Sequence, residues 1–257
     1  MVKDELDLSV ILPCYNEASI LRESVGKVRE ILDQSIYRYE IIIAEDSSTD
    51  GTDVIAKEMS ERSKEIVWCH RDERTGRGSA VANAIKAARG RIVGFLDVDL
   101  ETPAHYILPM VLAIQDGADI STGVRHIKLK NIDFVLKLDK ILSHYGYLWI
   151  SQRLLGTKLQ DTETGFKFFN RERILPILEE IKDQHWFWDT EVMVRPYFRG
   201  YKIKEIPTLF SMRHGRKSKV NFVKDSLSHF RNLLKLRQEI KSDKTMIPPE
   251  KRFRRPD

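Results

Sequence analysis

The sequence is nearly free of cysteine: Cys14 and Cys69 are the only cysteines among 257 residues. A disulfide framework of the kind that stabilises small secreted domains is therefore excluded, which favours a reducing compartment. The residues before Leu8 lack the apolar core of a signal peptide, and no apolar run approaches the length that crosses a bilayer. The composition thus predicts a protein that is soluble or peripheral to a membrane.

The charge is modest in total but unevenly distributed. The formal net charge is +5, yet residues 213–219 contain four basic residues and no acid, and residues 251–255 contain four more. Such runs favour anionic partners, which include phosphates, anionic lipids and nucleic acids. A single-strand nucleic-acid binder would interleave aromatic platforms with its basic residues, and these runs lack that pattern. We therefore predict no nucleic-acid partner.

Strand and helix signals alternate along the first 125 residues. Strands are predicted at 8–13, 39–44, 66–69 and 92–96, and helices at 17–32, 52–62 and 80–88. With 42% hydrophobic residues, the chain can bury a proper core. The alternation predicts a single α/β domain in which a mostly parallel sheet is flanked by helices. The ligand of such a sheet lies at the carboxyl ends of its strands.

The second half is less regular. Strands are predicted at 119–124, 165–170 and 202–211, and helices at 134–155, 172–181, 189–198 and 222–240. The helix at 134–155 is amphipathic, with Trp149 on its apolar stripe and Ser151 off it. That stripe could pack in the core or lie in a membrane interface. The basic residues from 241 to 257 are expected to form a flexible tail.

The strand at 92–96 ends in carboxylates, and this is the strongest chemical signal in the chain. Because side chains alternate along a strand, Asp97 and Asp99 are expected to point the same way. Two like charges held so close require a proton or a cation. Mg²⁺ or Mn²⁺ would suit these oxygen ligands, and such an ion often completes its shell with phosphates. Glu101 follows two residues later and could join them, so a nucleotide diphosphate is the expected ligand.

Other strand ends carry polar residues that should reach the same crevice, among them Glu17 and Asp46. Each has an ordinary structural alternative. Glu17 could be an acid favoured by a helix N-terminus, and Asp46 could form an Asx-turn. The acids after the strand at 92–96 could be a surface turn before a helix capped by Thr102 with Pro103 at its first position.

Four motifs in this order and spacing resemble the GT-A fold family-2 glycosyltransferases: Pro13-Cys-Tyr-Asn-Glu17, Glu45-Asp-Ser-Ser-Thr-Asp-Gly-Thr52, Gly76-x-Gly78 and Asp97-Val-Asp-Leu-Glu101. Later segments resemble the polyprenyl-phosphate members of that family, which include dolichyl-phosphate mannose synthases and dolichyl-phosphate glucosyltransferases; they are Asp161–Lys167, Trp188–Glu191 and Arg213–Asn221. Lys167 replaces the arginine usual in the mannose synthases and favours the glucosyl type. Residues 216–219 lack the glycine usual before Ser-Lys.

The resemblance implies an inverting, metal-dependent transfer of a hexose from UDP-glucose or GDP-mannose to a polyprenyl or dolichyl phosphate. It assigns the base and ribose to Pro13, Tyr15, Glu17 and Asp46, the ribose or metal to Asp97, and the Mg²⁺ or Mn²⁺ ion to Asp99 and Glu101. It places the acceptor phosphate at Arg125, Ser143, Arg213 and Lys219, and it makes Asp99 and Arg213 the catalytic residues. Residues 1–125 would form the nucleotide-sugar half and residues 126–240 the acceptor half.

The acceptor itself has two alternatives. A lipid phosphate is already anionic near neutral pH, so its transfer needs positioning and cations rather than a general base. A glycan or protein hydroxyl would need a carboxylate base, for which Asp189 is the candidate. Asp161 and Asp189 could line a sugar or lipid pocket, or they could be helix caps. With a lipid acceptor, the protein would lie peripherally on the cytoplasmic membrane face, where a membrane-anchoring partner could assist.

Overall fold

One seven-stranded sheet organises the chain. The computed structural model describes residues 6–127, 146, 148–211, 222–243 and 245–246. From one edge of the sheet to the other, the strands are β3 (Ile66–Cys69), β2 (Tyr39–Glu45), β1 (Leu6–Cys14), β4 (Gly90–Leu96), β6 (Phe166–Asn170), β5 (Ile120–Ile127) and β7 (Ile203–Phe210). Helices cover both faces of this sheet, so the predicted α/β class is confirmed.

The first half consists of alternating strands and helices: β1 (Leu6–Cys14), α1 (Leu21–Asp33), β2 (Tyr39–Glu45), α2 (Thr52–Arg62), β3 (Ile66–Cys69), α3 (Arg77–Ala87) and β4 (Gly90–Leu96). β1 pairs in parallel with β2 and with β4, and β2 pairs in parallel with β3. The predicted strands are confirmed. Two helix starts were wrong: α1 begins at Leu21 because residues 17–20 form a turn, and α3 begins at Arg77 rather than at residue 80.

The second half adds a short 3-10 turn (Ala104–Tyr106), α4 (Ile107–Gln115), β5 (Ile120–Ile127), a helix at 148–155 that we call α5, β6 (Phe166–Asn170), α6 (Arg171–Leu178), α7 (Trp188–Phe198), β7 (Ile203–Phe210) and α8 (Phe222–Ser242). β6 lies antiparallel between β4 and β5, and β7 pairs in parallel with β5. The expected boundary at residue 125 falls inside β5, so both halves of the chain share one sheet.

The central strands are apolar on both faces, which is typical of parallel strands covered by helices. On β1, Ile11 faces a core that also contains Phe95 and Trp188. Its neighbours Val10 and Leu12 face the opposite core, beneath α1 and α4. The two cores hold the sheet rigidly between the helical layers, and this fixes the strand ends that carry polar residues.

The amphipathic helix predicted at 134–155 lies mostly outside the described residues. Its described end, α5, differs from the predicted stripe: Trp149 is 66% exposed, whereas Ser151 is buried. α8 continues to Ser242, two residues past the predicted end of this helix, and Met246 is buried against the core. Among the described residues, no helix has both the length and the apolar character that a membrane span requires.

The close approach of β4 and β6 gives a test of the packing. A Cβ added at Gly94 would lie 2.2 Å from Cδ1 of Phe168, so Gly94→Ala should lower the free energy of unfolding by about 1–3 kcal/mol. Gly26 in α1 has no atom within 4 Å of such a Cβ, and Gly26→Ala is the matched control. Chemical denaturation of both variants measures the difference. Equal stability of the two would contradict the described contact of Gly94 with Phe168.

Candidate functional site

The carboxyl ends of β1, β2 and β4 lie at one edge of the sheet, as the parallel pairing requires. Their loops are joined by hydrogen bonds: the Asp46 amide donates to the Cys14 carbonyl at 3.0 Å, and the Asn16 amide donates to Ser48 Oγ at 2.9 Å. Asn16 and Ser47 both adopt positive φ, which lets the two loops turn sharply at this edge. The predicted convergence of these strand ends is therefore present in the fold.

Tyr15 and Glu17 lie in the loop after β1. The guanidinium of Arg74 stacks 3.7 Å from the Tyr15 ring centre, so an aromatic ring and a cation face each other across the loop. Glu17 is buried, and its amide donates to Thr52 Oγ1 at 2.8 Å. Because α1 begins four residues later, Glu17 is not a helical residue, and that alternative is wrong.

Asp46 holds the start of α3. Its carboxylate is 3% exposed and accepts hydrogen bonds from the amides of Thr75 at 2.9 Å and Gly76 at 2.8 Å. These partners lie about thirty residues away in sequence, so the carboxylate joins two distant loops. In an Asx-turn it would bond only to the backbone of its own loop. The loop after β2 and the loop before α3 thus form one unit.

The glycines of Gly76-x-Gly78 are required by packing. A Cβ at Gly76 would lie 2.3 Å from His185 Nδ1, and one at Gly78 would lie 2.4 Å from Trp188 Cβ. Gly76 also has φ +105°, in the region that favours glycine. The loop that carries these glycines is therefore packed tightly against the segment that leads into α7.

Arg77 joins the acidic end of β4 to α7. Its Nη2 lies 2.6 Å from Asp97 Oδ1, and its Nη1 donates to Asp189 Oδ2. Asp189 also accepts from Lys167 Nζ at 2.8 Å. Burial by itself lowers the pKa of Arg77, but the adjacent Asp189 and Asp97 outweigh it and raise that pKa. Two carboxylates and two cations therefore form a continuous network beneath the strand ends.

Lys167 is fully buried in the middle of β6. Burial lowers the pKa of its ammonium group, while Asp189 favours the charged form. Its second described partner is the carbonyl oxygen of Thr164. Lys167 therefore supports Asp189 from below, and its ammonium group does not face the crevice.

The acids after β4 are arranged in a tight turn. Asp99 Oδ1 accepts from the Glu101 amide at 3.2 Å, and Leu100 between them has φ 52°. Within the described part of the chain, no group of three or more His, Cys, Asp or Glu side chains is arranged to hold a metal ion, so Asp97, Asp99 and Glu101 do not form such a group by themselves. The alternative of a helix capped by Thr102 is wrong, since a 3-10 turn begins after Pro103 without a side-chain cap.

On the second side of the crevice, Arg125 in β5 pairs with Asp161. Its Nε lies 2.7 Å from Oδ2 and its Nη2 lies 2.9 Å from Oδ1 of that carboxylate, which is 1% exposed. Burial by itself lowers the pKa of Arg125, but Asp161 reverses the effect and raises it. The predicted acceptor residues Ser143, Arg213 and Lys219 lie outside the described residues.

Asp161 is therefore paired with Arg125, and Asp189 is paired with Lys167 and Arg77. The alternative that either carboxylate caps a helix is wrong. The carboxylate of Glu191, two residues further on, also has protein partners: it accepts hydrogen bonds from the amides of Lys182 and Asp183 and pairs with Arg195. Of the three consecutive aromatic residues at the start of α7, Phe187 and Trp188 are buried. Trp186 is 40% exposed beside Arg77 and can contact a ligand.

Sequence reasoning missed Arg77 altogether and assigned no structural role to Lys167. A signal for Lys167 existed, because a lysine within Phe-Lys-Phe-Phe must be buried with its strand and therefore requires a carboxylate. No comparable signal marked Arg77. Its partners lie 20 and 112 residues away in the sequence.

Removal of Asp189 should be severely destabilising. Asp189→Ala leaves Lys167 buried without its carboxylate, which typically costs about 3–5 kcal/mol of folding free energy. Glu23→Ala is the control, because Glu23 also pairs with a lysine but on the surface, where such pairs contribute little. Urea denaturation of both variants provides the comparison. A loss for Asp189→Ala no larger than that for Glu23→Ala would disprove the buried network.

Solved structures share the overall fold. Glucosyl-3-phosphoglycerate synthase from Mycobacterium tuberculosis, crystallised with UDP, aligns at a TM-score of 0.64 with 20% identity, over 91% of this chain and 80% of that one. The same enzyme with Mn²⁺, UDP and its product aligns at 0.60 with 17% identity, over 91% and 78%. At this identity the similarity establishes the GT-A fold alone.

Curated relatives are more similar in sequence. Glycosyltransferase AglD of Haloferax volcanii is 32% identical over 86% of this chain, which spans 35% of AglD. Dolichyl-phosphate beta-glucosyltransferase of Saccharomyces cerevisiae and dolichol-phosphate mannosyltransferase of Pyrococcus furiosus are each 27% identical over 91% of this chain, which spans 75% and 66% of them. The model of glycosyl transferase family 2 matches residues 9–184. With its GT-A sheet and its acidic strand ends, the chain belongs to glycosyl transferase family 2.

Proposed function

We propose that the protein transfers a hexose from a nucleotide diphosphate-sugar to a polyprenyl phosphate. The observation that carries this proposal is the placement of Arg125. Because β6 is antiparallel to both β4 and β5, the latter two strands run in the same direction. Arg125, near the carboxyl end of β5, therefore lies at the same sheet edge as Asp97. Its guanidinium, which Asp161 holds in place through Nε and Nη2, would present a cation to an acceptor phosphate beside the acidic donor side.

On the donor side, Pro13, Tyr15, Glu17 and Asp46 would hold the base and ribose, with Asp97 at the ribose or the metal. Asp46 would act partly by fixing the loop at Thr75 and Gly76, because its two carboxylate oxygens accept hydrogen bonds from the amides of these residues. UDP-glucose and GDP-mannose remain the two donor candidates. Lys167 and the yeast glucosyltransferase relative favour glucose, while the Pyrococcus relative carries the mannosyl name.

A divalent metal fits this edge only as part of a complex with the donor. Asp97, Asp99 and Glu101 supply hard oxygen ligands, which suit Mg²⁺ or Mn²⁺. The described residues do not bring three such side chains together, so diphosphate oxygens would complete the shell. When bound, the ion would neutralise charge on the departing diphosphate. The chain's own task is to hold the donor at Asp99 and to keep the acceptor phosphate beside Arg125.

Loss of Asp99 should abolish metal-dependent donor binding without unfolding the protein. For Asp99→Ala we expect turnover to fall by about two orders of magnitude or more, since the ion offsets charge in the transition state. Calorimetry with nucleotide diphosphate and Mn²⁺, together with a thermal melt, measures binding and folding separately. Asp116→Ala, an exposed acid after α4, serves as the control. Undiminished turnover of Asp99→Ala would remove Asp99 from the metal site.

A specific observation favours a phosphate acceptor over a hydroxyl. A hydroxyl needs a carboxylate to take its proton, and Asp189 was the candidate base. Asp189 is 2% exposed, and its two oxygens accept from Lys167 and Arg77. It is therefore not presented to an incoming hydroxyl, whereas an ionised lipid phosphate requires no base. Ser143, Arg213 and Lys219 would add acceptor contacts beside Arg125, with Arg213 and Asp99 as the catalytic residues.

The acceptor class can be tested with labelled donor. Incubation of the protein, Mn²⁺ and labelled UDP-glucose or GDP-mannose with polyprenyl phosphate should place the label in chloroform-soluble product. Omission of the lipid phosphate is the control and should leave only water-soluble label. Transfer of label to a water-soluble glycan or protein, with none in the lipid fraction, would favour the alternative acceptor and contradict the proposal.

A polyprenyl phosphate lies in a membrane, so the protein would work peripherally at the cytoplasmic face. The basic residues at 213–219 and 251–255 would favour anionic lipids there. Exposed Trp149 and Ile150 on α5 supply apolar side chains of the kind found at membrane interfaces. A membrane-anchoring partner is compatible with this arrangement, and nucleic acid is not an expected partner.

A further inference from the structure

We propose that Arg77 is an internal counter-ion that competes with the divalent metal for Asp97, so that the metal binds firmly only together with the diphosphate of the donor. The proposal rests on the metal site of the proposed function. It assigns Arg77 a positioning role, because Arg77 acts on the metal and on Asp189 through the carboxylates that it holds. Neither the family match nor the relatives assign this role.

Arg77 contacts Asp97 directly. Arg77 reaches Asp97 Oδ1 through two nitrogens, Nη2 at 2.6 Å and Nε at 3.1 Å. The Arg77 side chain is 13% exposed, whereas that of Asp97 is 43% exposed. Asp97 is thus open to an incoming ligand on one side and occupied by the guanidinium on the other. A metal ion that binds Asp97 would therefore have to share this carboxylate with the guanidinium of Arg77 or displace the guanidinium from it.

Arg77 is held firmly in place. It is the first residue of α3, and the preceding Gly76 is fixed by the carboxylate of Asp46. The next residue, Gly78, packs against Trp188 with no room for a Cβ. The guanidinium lies 5.3 Å from the Phe95 ring centre and 5.4 Å from that of Trp186. An arginine held by packing on several sides does not behave as a mobile surface cation.

The charged groups that Arg77 connects balance one another. Asp97 and Asp189 carry two negative charges, and Arg77 and Lys167 carry two positive charges, all within one chain of contacts. These groups therefore compensate one another before any metal enters. A bare divalent ion would add positive charge beside Arg77, and like charges at this distance repel strongly in a partly buried site. A nucleotide diphosphate brings the negative charge that offsets this repulsion.

The described carboxylates do not form a three-ligand metal group by themselves. The protein supplies a partly neutralised edge, and the donor completes it. Metal and diphosphate would then bind cooperatively, with each raising the affinity for the other by the same factor. When Arg77 loses part of its contact with Asp97, its remaining contact with Asp189 keeps α3 and α7 aligned.

The test measures Mn²⁺ affinity without nucleotide, by electron paramagnetic resonance of free Mn²⁺ on the full chain. Arg77→Gln should bind Mn²⁺ about tenfold more tightly than the wild type, because the competing charge is gone. Arg71→Gln is the matched control: it removes the same charge from the same loop, where Arg71 contacts Thr75 and Ser79. Its Mn²⁺ affinity should change by less than about twofold. Arg77→Gln/Asp97→Asn should lose the gain, which assigns the effect to Asp97.

Arg77→Lys provides a second variant should Arg77→Gln fail to fold. Lysine keeps the charge but cannot offer the same set of donors, so its Mn²⁺ affinity should lie between those of the wild type and the glutamine variant. Addition of UDP or GDP should raise the Mn²⁺ affinity of the wild type more than that of either variant. Equal or weaker Mn²⁺ binding by both variants without nucleotide overturns the competition. If neither UDP nor GDP binds to the wild type with Mn²⁺, the proposed donor site is overturned instead, and the nucleotide-free comparison still decides the role of Arg77.

Discussion

The cost of burying charge constrains this site more than any other physical factor. Asp46, Asp161 and Asp189 are each at most 3% exposed, and a buried carboxylate is tolerated only when its oxygens are bonded. Asp46 is satisfied by backbone amides before α3, Asp161 by Arg125, and Asp189 by Lys167 and Arg77. Each requirement connects two parts of the chain that are distant in sequence, so together they assemble the crevice.

The antiparallel strand β6 decides which side chains share that crevice. Its insertion between β4 and β5 places Arg125 at the same edge as Asp97, and it carries Lys167 beneath the same edge. The two sides of the crevice are consequently parts of one sheet, with Arg77 bridging the β4 turn and α7. A single guanidinium therefore connects the carboxylate at the end of β4 with Asp189 in α7.

The strands and the acidic strand ends could be predicted from local signals. The apolar runs at β1, β2 and β4, with the turn residues after each of them, specify strands whose ends must meet once the sheet is parallel. Local signals failed where a residue's partner is distant in sequence: nothing near Gly76 and Gly78 in the chain indicates that His185 and Trp188 approach them closely. Trp149 is exposed and Ser151 is buried, which is the reverse of the prediction, because helical periodicity alone does not reveal which face a neighbouring element covers.

The sequence by itself determined the α/β class, the order of strands and helices, and the family motifs, because these depend on periodicity and on residues adjacent in the chain. Only the tertiary structure decided that Asp161 and Asp189 are ion-paired, that Asp46 holds the loop before α3, and that Arg77 neutralises Asp97. Charge pairing acts over a few ångströms in space, whereas Arg77 and Asp189 are separated by 112 residues in sequence. The sequence pattern therefore located the carboxylates, and the fold assigned their partners.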